Sequence, residues 1–194
     1  MKLFGIVQMS MVLGYLGAVQ AAEKSQGKPN ILLILADDLG YADLGCQGSP
    51  DVKTPNIDSL AANGVRCTAG YVTAPQCSPS RAGLLSGRHQ QRFGQNNNAQ
   101  FPLMLMNGGK TIADHLKPAG YATAHFGKWH LGFSGNNPNP EGSGADASQT
   151  RPVQHGFDVS FGFDEYRAEK KTTSSHAFDD RVFAEKAVDF ITQH

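Results

Sequence analysis

The sequence predicts an α/β fold, a mostly parallel sheet flanked by helices, and three observations predict it. Ile31-Leu32-Leu33-Ile34-Leu35 is an unbroken apolar run between Pro29 and Asp37-Asp38, the pattern of a strand buried on both faces of a parallel sheet. A helical pattern follows it over residues 54–64. A second helix is then followed by a second strand-like run, over 111–126. Strands alternating with helices are the pattern of an α/β sheet.

Each element has its own signals. Thr54 is a natural N-cap with Pro55 at the first helical position, Ile57, Leu60 and Ala61 form an apolar face, and Gly64 ends the helix. Val65–Val72 is expected to return as extended chain. At Cys77-Ser78-Pro79-Ser80-Arg81, Pro79 suits a first helical turn, so Cys77 stands at the mouth of a helix. Thr111–Leu116 reads as a short helix, ended early by Pro118 and Gly120, and Tyr121–Phe126 as a strand. A Gly/Asn/Pro-rich stretch over 134–154 is a loop. Val182, Phe183, Ala187, Val188, Phe190 and Ile191 have helical spacing behind Asp179 or Asp180. A crossover helix with no strand after it is an odd way to end such a sheet, so the 194 residues are expected to be the front part of a longer protein.

A hydrophobic content of 40% is enough for a core, and the length suits one domain. Seventeen basic and seventeen acidic residues cancel, which gives no footing for nucleic acid or an anionic membrane. Residues 1–21 read as a cleavable signal peptide, with an apolar part short for a bilayer span, so export to a periplasmic or extracellular space without a stable membrane anchor is expected. A polar leader, 22–29, separates it from a single domain over 30–194. Cys46, Cys67 and Cys77 are an odd number for an oxidising compartment. A Cys46–Cys67 bridge is conceivable, but both are expected to be small core residues.

Three polar clusters follow strand-like or extended runs, where open α/β sheets bind ligands. The adjacent carboxylates of Asp37 and Asp38 repel each other, and a hard divalent cation neutralises them; alternatively they serve a turn at Gly40. Cys77 has a hydroxyl and a permanent cation near it in Ser80 and Arg81, although taken alone a single Cys before a short helix is more often a small buried hydrophobe. In Gly127-Lys128-Trp129-His130-Leu131-Gly132, Lys128 and His130 at i and i+2 would share one side of extended chain, an ammonium for an anion beside an imidazole for a proton; alternatively this is a loop with a buried Trp129 and two solvated flanks. His155 and His176 read as surface or local structural residues. Gln95–Asn98 and the 134–154 loop are candidates to line a pocket, with a plain solvent loop as their expected role.

These three clusters, in this order, resemble the amino-terminal half of a type I sulfatase, over about Pro29–Gly132 and more loosely through His155-Gly156-Phe157-Asp158 and Phe161-Gly162. The resemblance implies an alkaline-phosphatase-like sheet and a sulfuric-ester hydrolase. It implies that Cys77 is converted to formylglycine by a maturation enzyme and that one hydroxyl of the hydrated aldehyde attacks the sulfur of a sulfate ester. The other then loses its proton as sulfate is released. It further implies a divalent metal, calcium, on Asp37, Asp38 and the modified Cys77. By the same resemblance Arg81 would orient the diol and help offset its developing anion, Lys128 would bind the sulfate, and His130 would hydrogen-bond the diol or assist elimination. Sulfated small molecules or sulfated glycans are the implied substrates, and the family's remaining metal ligands, Lys and His come from beyond His194. Two other readings stand beside this one: a phosphate or phosphonate ester hydrolase of the same fold, and a truncated, inactive anion-binding fragment.

Overall fold

The structure, a computed structural model, describes residues 27–98, 108–132, 151–170 and 179–194. The chain divides into two units, Met1–Asp37 and Asp38–His194. The signal-peptide reading falls outside the described residues, as do His176 and most of the 134–154 loop.

In the first unit the expected strand does not form: Ile31–Leu35 is in no ladder, and its side chains are 41–76% exposed. An apolar run states that burial is favourable, but a strand also needs a neighbour for its N–H and C=O groups. Among the described residues only one ladder exists, and it lies elsewhere.

The second unit begins with helix α1, Pro55–Asn63, bounded by Thr54 and Gly64 as the sequence predicts. Thr54 does not cap through its hydroxyl. Instead Thr54 Oγ1 accepts from the Gly45 amide at 2.9 Å and donates to Asp58 Oδ1 at 2.9 Å, tying α1 to the preceding turn. None of its residues is buried, and Val65, Tyr71 and Val72 beyond it are exposed and outside any ladder. Helix α2, Cys77–Ser86, ends in a left-handed Gly87 whose amide reaches the Gly83 and Leu84 carbonyls.

Helix α3, Ile112–Leu116, starts with a reciprocal capping box between Thr111 and Asp114. It tightens into a 3-10 turn at Lys117–Ala119, where Pro118 sits, and closes on Gly120. Strand β1, Ala124–Phe126, is shorter than the predicted 121–126 and pairs in parallel with β2, Val159–Phe161, with His125 opposite Ser160. Thr123 fastens the start of this ladder: its amide and hydroxyl both donate to Asp158 Oδ2 at 2.9 Å. Asp158 also pairs with Lys117 at 2.5 Å. That pairing, with the two Thr123 bonds, holds the Asp158 carboxyl down at about 2. Helix α4, Phe163–Lys170, and helix α5, Asp180–Gln193, complete the order, and α5 packs on β1. Phe126 meets Phe190 at 6.1 Å, and Phe161 and Tyr166 both pack on Phe183.

One glycine here is required by geometry. Gly156 has φ +86, and a Cβ on it would lie 2.3 Å from the Asp114 amide nitrogen, a backbone atom that cannot swing away. Gly156→Ala is expected to destabilise the chain by about 3 kcal/mol or more, from strain plus overlap. Chemical denaturation checks it, and a loss below about 1 kcal/mol would show that the 3-10 turn at 152–154 moves freely away from α3.

Candidate active site

The start of α2 is built to present Cys77. Gln76 is extended and caps the helix, so Cys77 occupies the first helical position, half-buried, while Ser78, Pro79, Arg81, Ala82 and Gly83 are buried behind it. Gly83 lets the helix approach residue 73: a Cβ there would fall 2.3 Å from Thr73 Oγ1. A polar bracket fixes the first turn. The Ser78 amide donates to Asn98 Oδ1 at 3.0 Å, the Asn98 amide donates to Gln76 Oε1 at 3.0 Å, and Gln95 Nε2 donates to Ser78 Oγ at 2.7 Å. Gln95 is fully buried, so this part of 95–98 is not the plain solvent loop expected. Composition alone gave no signal for it, because a Gln-Asn-Asn-Asn run reads as polar chain wherever it lies.

Two of the predicted clusters meet Cys77 or its helix within the second unit. Cys77 Sγ lies 3.7 Å from Asp38 Oδ1. Asp38 holds this place in the left-handed region, φ 55, ahead of a turn in which the Gly40 amide donates to Asp43 Oδ2 at 2.6 Å. Arg81, buried, donates from Nη1 to the Lys128 carbonyl at 2.5 Å, which ties α2 to the turn after β1. Ala82 and Leu131 form a small core beneath, with Leu85, Phe93 and Trp129 against it. Burying Leu131 contributes about 2 kcal/mol to that closure.

The turn itself departs from expectation. Gly127 has φ 94 and His130 φ 54, so the run leaves β1 at once and bends again at His130. Side-chain alternation along straight chain therefore does not relate Lys128 to His130. Lys128 is half-buried and His130 exposed. Asp38 and His130 are the two non-glycine residues with positive φ among the described residues, and both are predicted site residues. Strained backbone of this kind gathers where the surrounding structure holds a functional group in place.

Asp37 is exposed and closes the first unit. The donor chemistry of Asp37, Asp38 and Cys77 suits a hard divalent cation in the two carboxylates, whereas a thiol is a soft donor. Replacing the Cys77 sulfur by oxygen makes the set all-oxygen and compatible. Cys46, Cys67 and Cys77 are all free thiols. Cys67 is exposed and Cys46 half-buried, so neither is the core residue expected. His155 does have the local structural role, buried, with its carbonyl accepting from Thr111 Oγ1 at 2.7 Å.

Comparison with known proteins identifies the family. The family model described as Sulfatase matches residues 29–194. The chain is 44% identical over 143 residues to human arylsulfatase D, covering 70% of this chain and 23% of that protein. It is 44% identical over 147 residues to an N-acetylgalactosamine-6-O-sulfatase of Bacteroides thetaiotaomicron, covering 67% of this chain and 28% of that one. Among solved structures it is similar to the PsFucS1 sulfatase from a Pseudoalteromonas species, with a TM-score of 0.63 and 25% identity over 97% of this chain and 45% of that one. The chain thus spans about a quarter of the length of these curated relatives.

Proposed function

This chain belongs to the sulfatase family, and we propose that it carries the nucleophile-bearing part of an exported, formylglycine-dependent sulfuric-ester hydrolase. The observation that supports the reading most is a convergence. Cys77 lies beside Asp38, and Arg81, on the same helix, is bonded to the backbone of the turn that carries Lys128 and His130. The fold is the sulfatase, alkaline-phosphatase-like one.

Formylglycine at position 77 supplies a hydrated aldehyde, two hydroxyls on one carbon, one to attack sulfur and one to expel sulfate. Asp37 and Asp38, with the modified Cys77, would hold a divalent metal, calcium, which supplies Lewis acidity toward the attacking hydroxyl and the sulfate oxygens. Arg81 fixes the diol's orientation from a guanidinium whose place is set by its bond to Lys128. Lys128 binds the sulfate, and His130 moves a proton between the diol and solvent. A maturation enzyme installs the formylglycine, and the apolar stretch before Ala21 directs export. Sulfated small molecules or glycans are the substrates; that the Bacteroides relative is named for a sulfated sugar supports the glycan class. The relatives' names favour sulfate over phosphate or phosphonate esters.

The test is a paired assay of an aryl sulfate and the matching aryl phosphate, on protein matured in a host that installs formylglycine. Faster sulfate hydrolysis is expected, reduced by about a hundredfold or more on calcium chelation and restored by added calcium. A phosphate preference, or turnover indifferent to chelation, overturns the reading.

A further inference from the structure

His125 is a titratable group that the proposed chemistry does not use. It sits at the centre of β1, two residues before Gly127 and three before Lys128. Its ring meets Trp129 edge-on at 5.1 Å and Phe157 edge-on at 5.5 Å, and Trp129 meets Phe157 at 6.0 Å, so the three rings form one mutually perpendicular packet. His155 stacks on Trp129 at 6.3 Å. Nδ1 of His125 is buried with no hydrogen-bond partner among the described residues. A neutral ring tolerates that position, since one ring nitrogen can remain a bare acceptor, whereas protonation would bury a charge for which the residue's own backbone and Glu165 compensate less than burial costs.

The charged groups facing it make protonation worse. Arg81, from α2, opposes a positive charge on His125, while Glu165, from α4, favours it more weakly. From α5, Lys186 lies over the Phe161 ring of the neighbouring strand at 5.1 Å. Arg81 is the same guanidinium that donates to the Lys128 carbonyl. A second cation at position 125 therefore acts on the bond that holds the Lys128 turn to α2.

We infer that His125 is a positioning residue: as a neutral imidazole it locks Trp129 and thereby the turn 127–130 against α2, and its protonation in weak acid releases that turn. The inference rests on the sulfatase reading only for what Lys128 and His130 do once positioned. Burial, with Arg81 adding to it, pushes the His125 imidazole down from 6.5 to about 4. The locked form binds fewer protons between those values than the released form does. The lock is therefore complete above about pH 6.5, weakens as pH falls through that window and is most strained near pH 4.

Trp129 is the single tryptophan of the chain, so its fluorescence reports the packet without any need for turnover. In the 194-residue chain a fluorescence change with its midpoint between pH 4 and 6.5 is expected, preceding loss of far-ultraviolet circular dichroism. His125→Phe, an uncharged ring of the same edge-on geometry, abolishes it, whereas His155→Gln retains it. An unchanged midpoint in His125→Phe overturns the inference, as does a change that moves with the dichroism in both proteins. Should His125→Phe fail to fold, the imidazole proton resonances of the unmodified chain decide. A His125 midpoint below 6 supports the lock, and one at 6 or above overturns it. Absence of sulfate-ester turnover with these transitions intact would remove the enzymatic reading and leave the lock standing.

Discussion

Cys77→Ala is expected to abolish the proposed sulfate-ester hydrolysis, lowering turnover by about four orders of magnitude or more, while the fold survives. Alanine can never become an aldehyde, so no diol forms, and removal of a covalent nucleophile is the largest single loss a hydrolase of this kind can show. The structural cost is small. Cys77 is half-buried at the first position of α2, its sulfur touches Asp38 and no core cluster, and the helix is held by the Gln76, Ser78, Gln95 and Asn98 bracket. A stability change within about 1 kcal/mol is therefore expected. Denaturation and turnover measured on the same preparation separate the two effects, and mass spectrometry of the Cys77 peptide from wild type should show the aldehyde. Full activity with an intact thiol at position 77 would remove formylglycine from the mechanism.

Local signals in the sequence were enough for α1, α3, α5 and the start of α2 and for the order of the site clusters, but not for α4, which was not expected from the sequence. Thr54, Pro55 and Gly64 bound a helix because each acts on its own backbone within one turn, and Pro79 does the same at the start of α2. Burial was less legible. Ile31–Leu35 has the composition of a buried strand, but whether a strand is buried depends on partners that its own residues do not specify. The ladder residues Val159–Phe161 are too few for any periodicity to show. Asp38 and His130 adopt a conformation that glycine usually fills, so no glycine marked those bends. His125 reads in sequence as one more residue of a strand. Its meaning comes from Trp129 and Phe157, brought beside it by a turn and by a parallel partner strand.

Arg81→Ala is expected to lower turnover by about a hundredfold to a thousandfold, and here, unlike at Cys77, part of the loss is positional. Arg81 is buried and its Nη1 donates to the Lys128 carbonyl, so truncation removes that donor and leaves a cavity where the buried side chain was. A stability loss of about 1–3 kcal/mol accompanies it. Arg81→Lys does not rescue: an ammonium is a point donor on a different stem and cannot keep the fork geometry that serves the Lys128 carbonyl and the diol together. A second consequence links this residue to His125. The Arg81 charge is, after burial, the main influence holding the His125 imidazole down, so Arg81→Ala raises the His125 midpoint toward 6.5 without restoring it fully, because the burial remains. An imidazole titration by proton resonance measures that shift directly. Turnover within about tenfold of wild type, together with an unmoved His125 midpoint, would show that Arg81 neither orients the diol nor connects α2 to the turn at Lys128. Loss of turnover with the midpoint unmoved would separate the two roles and leave only the first.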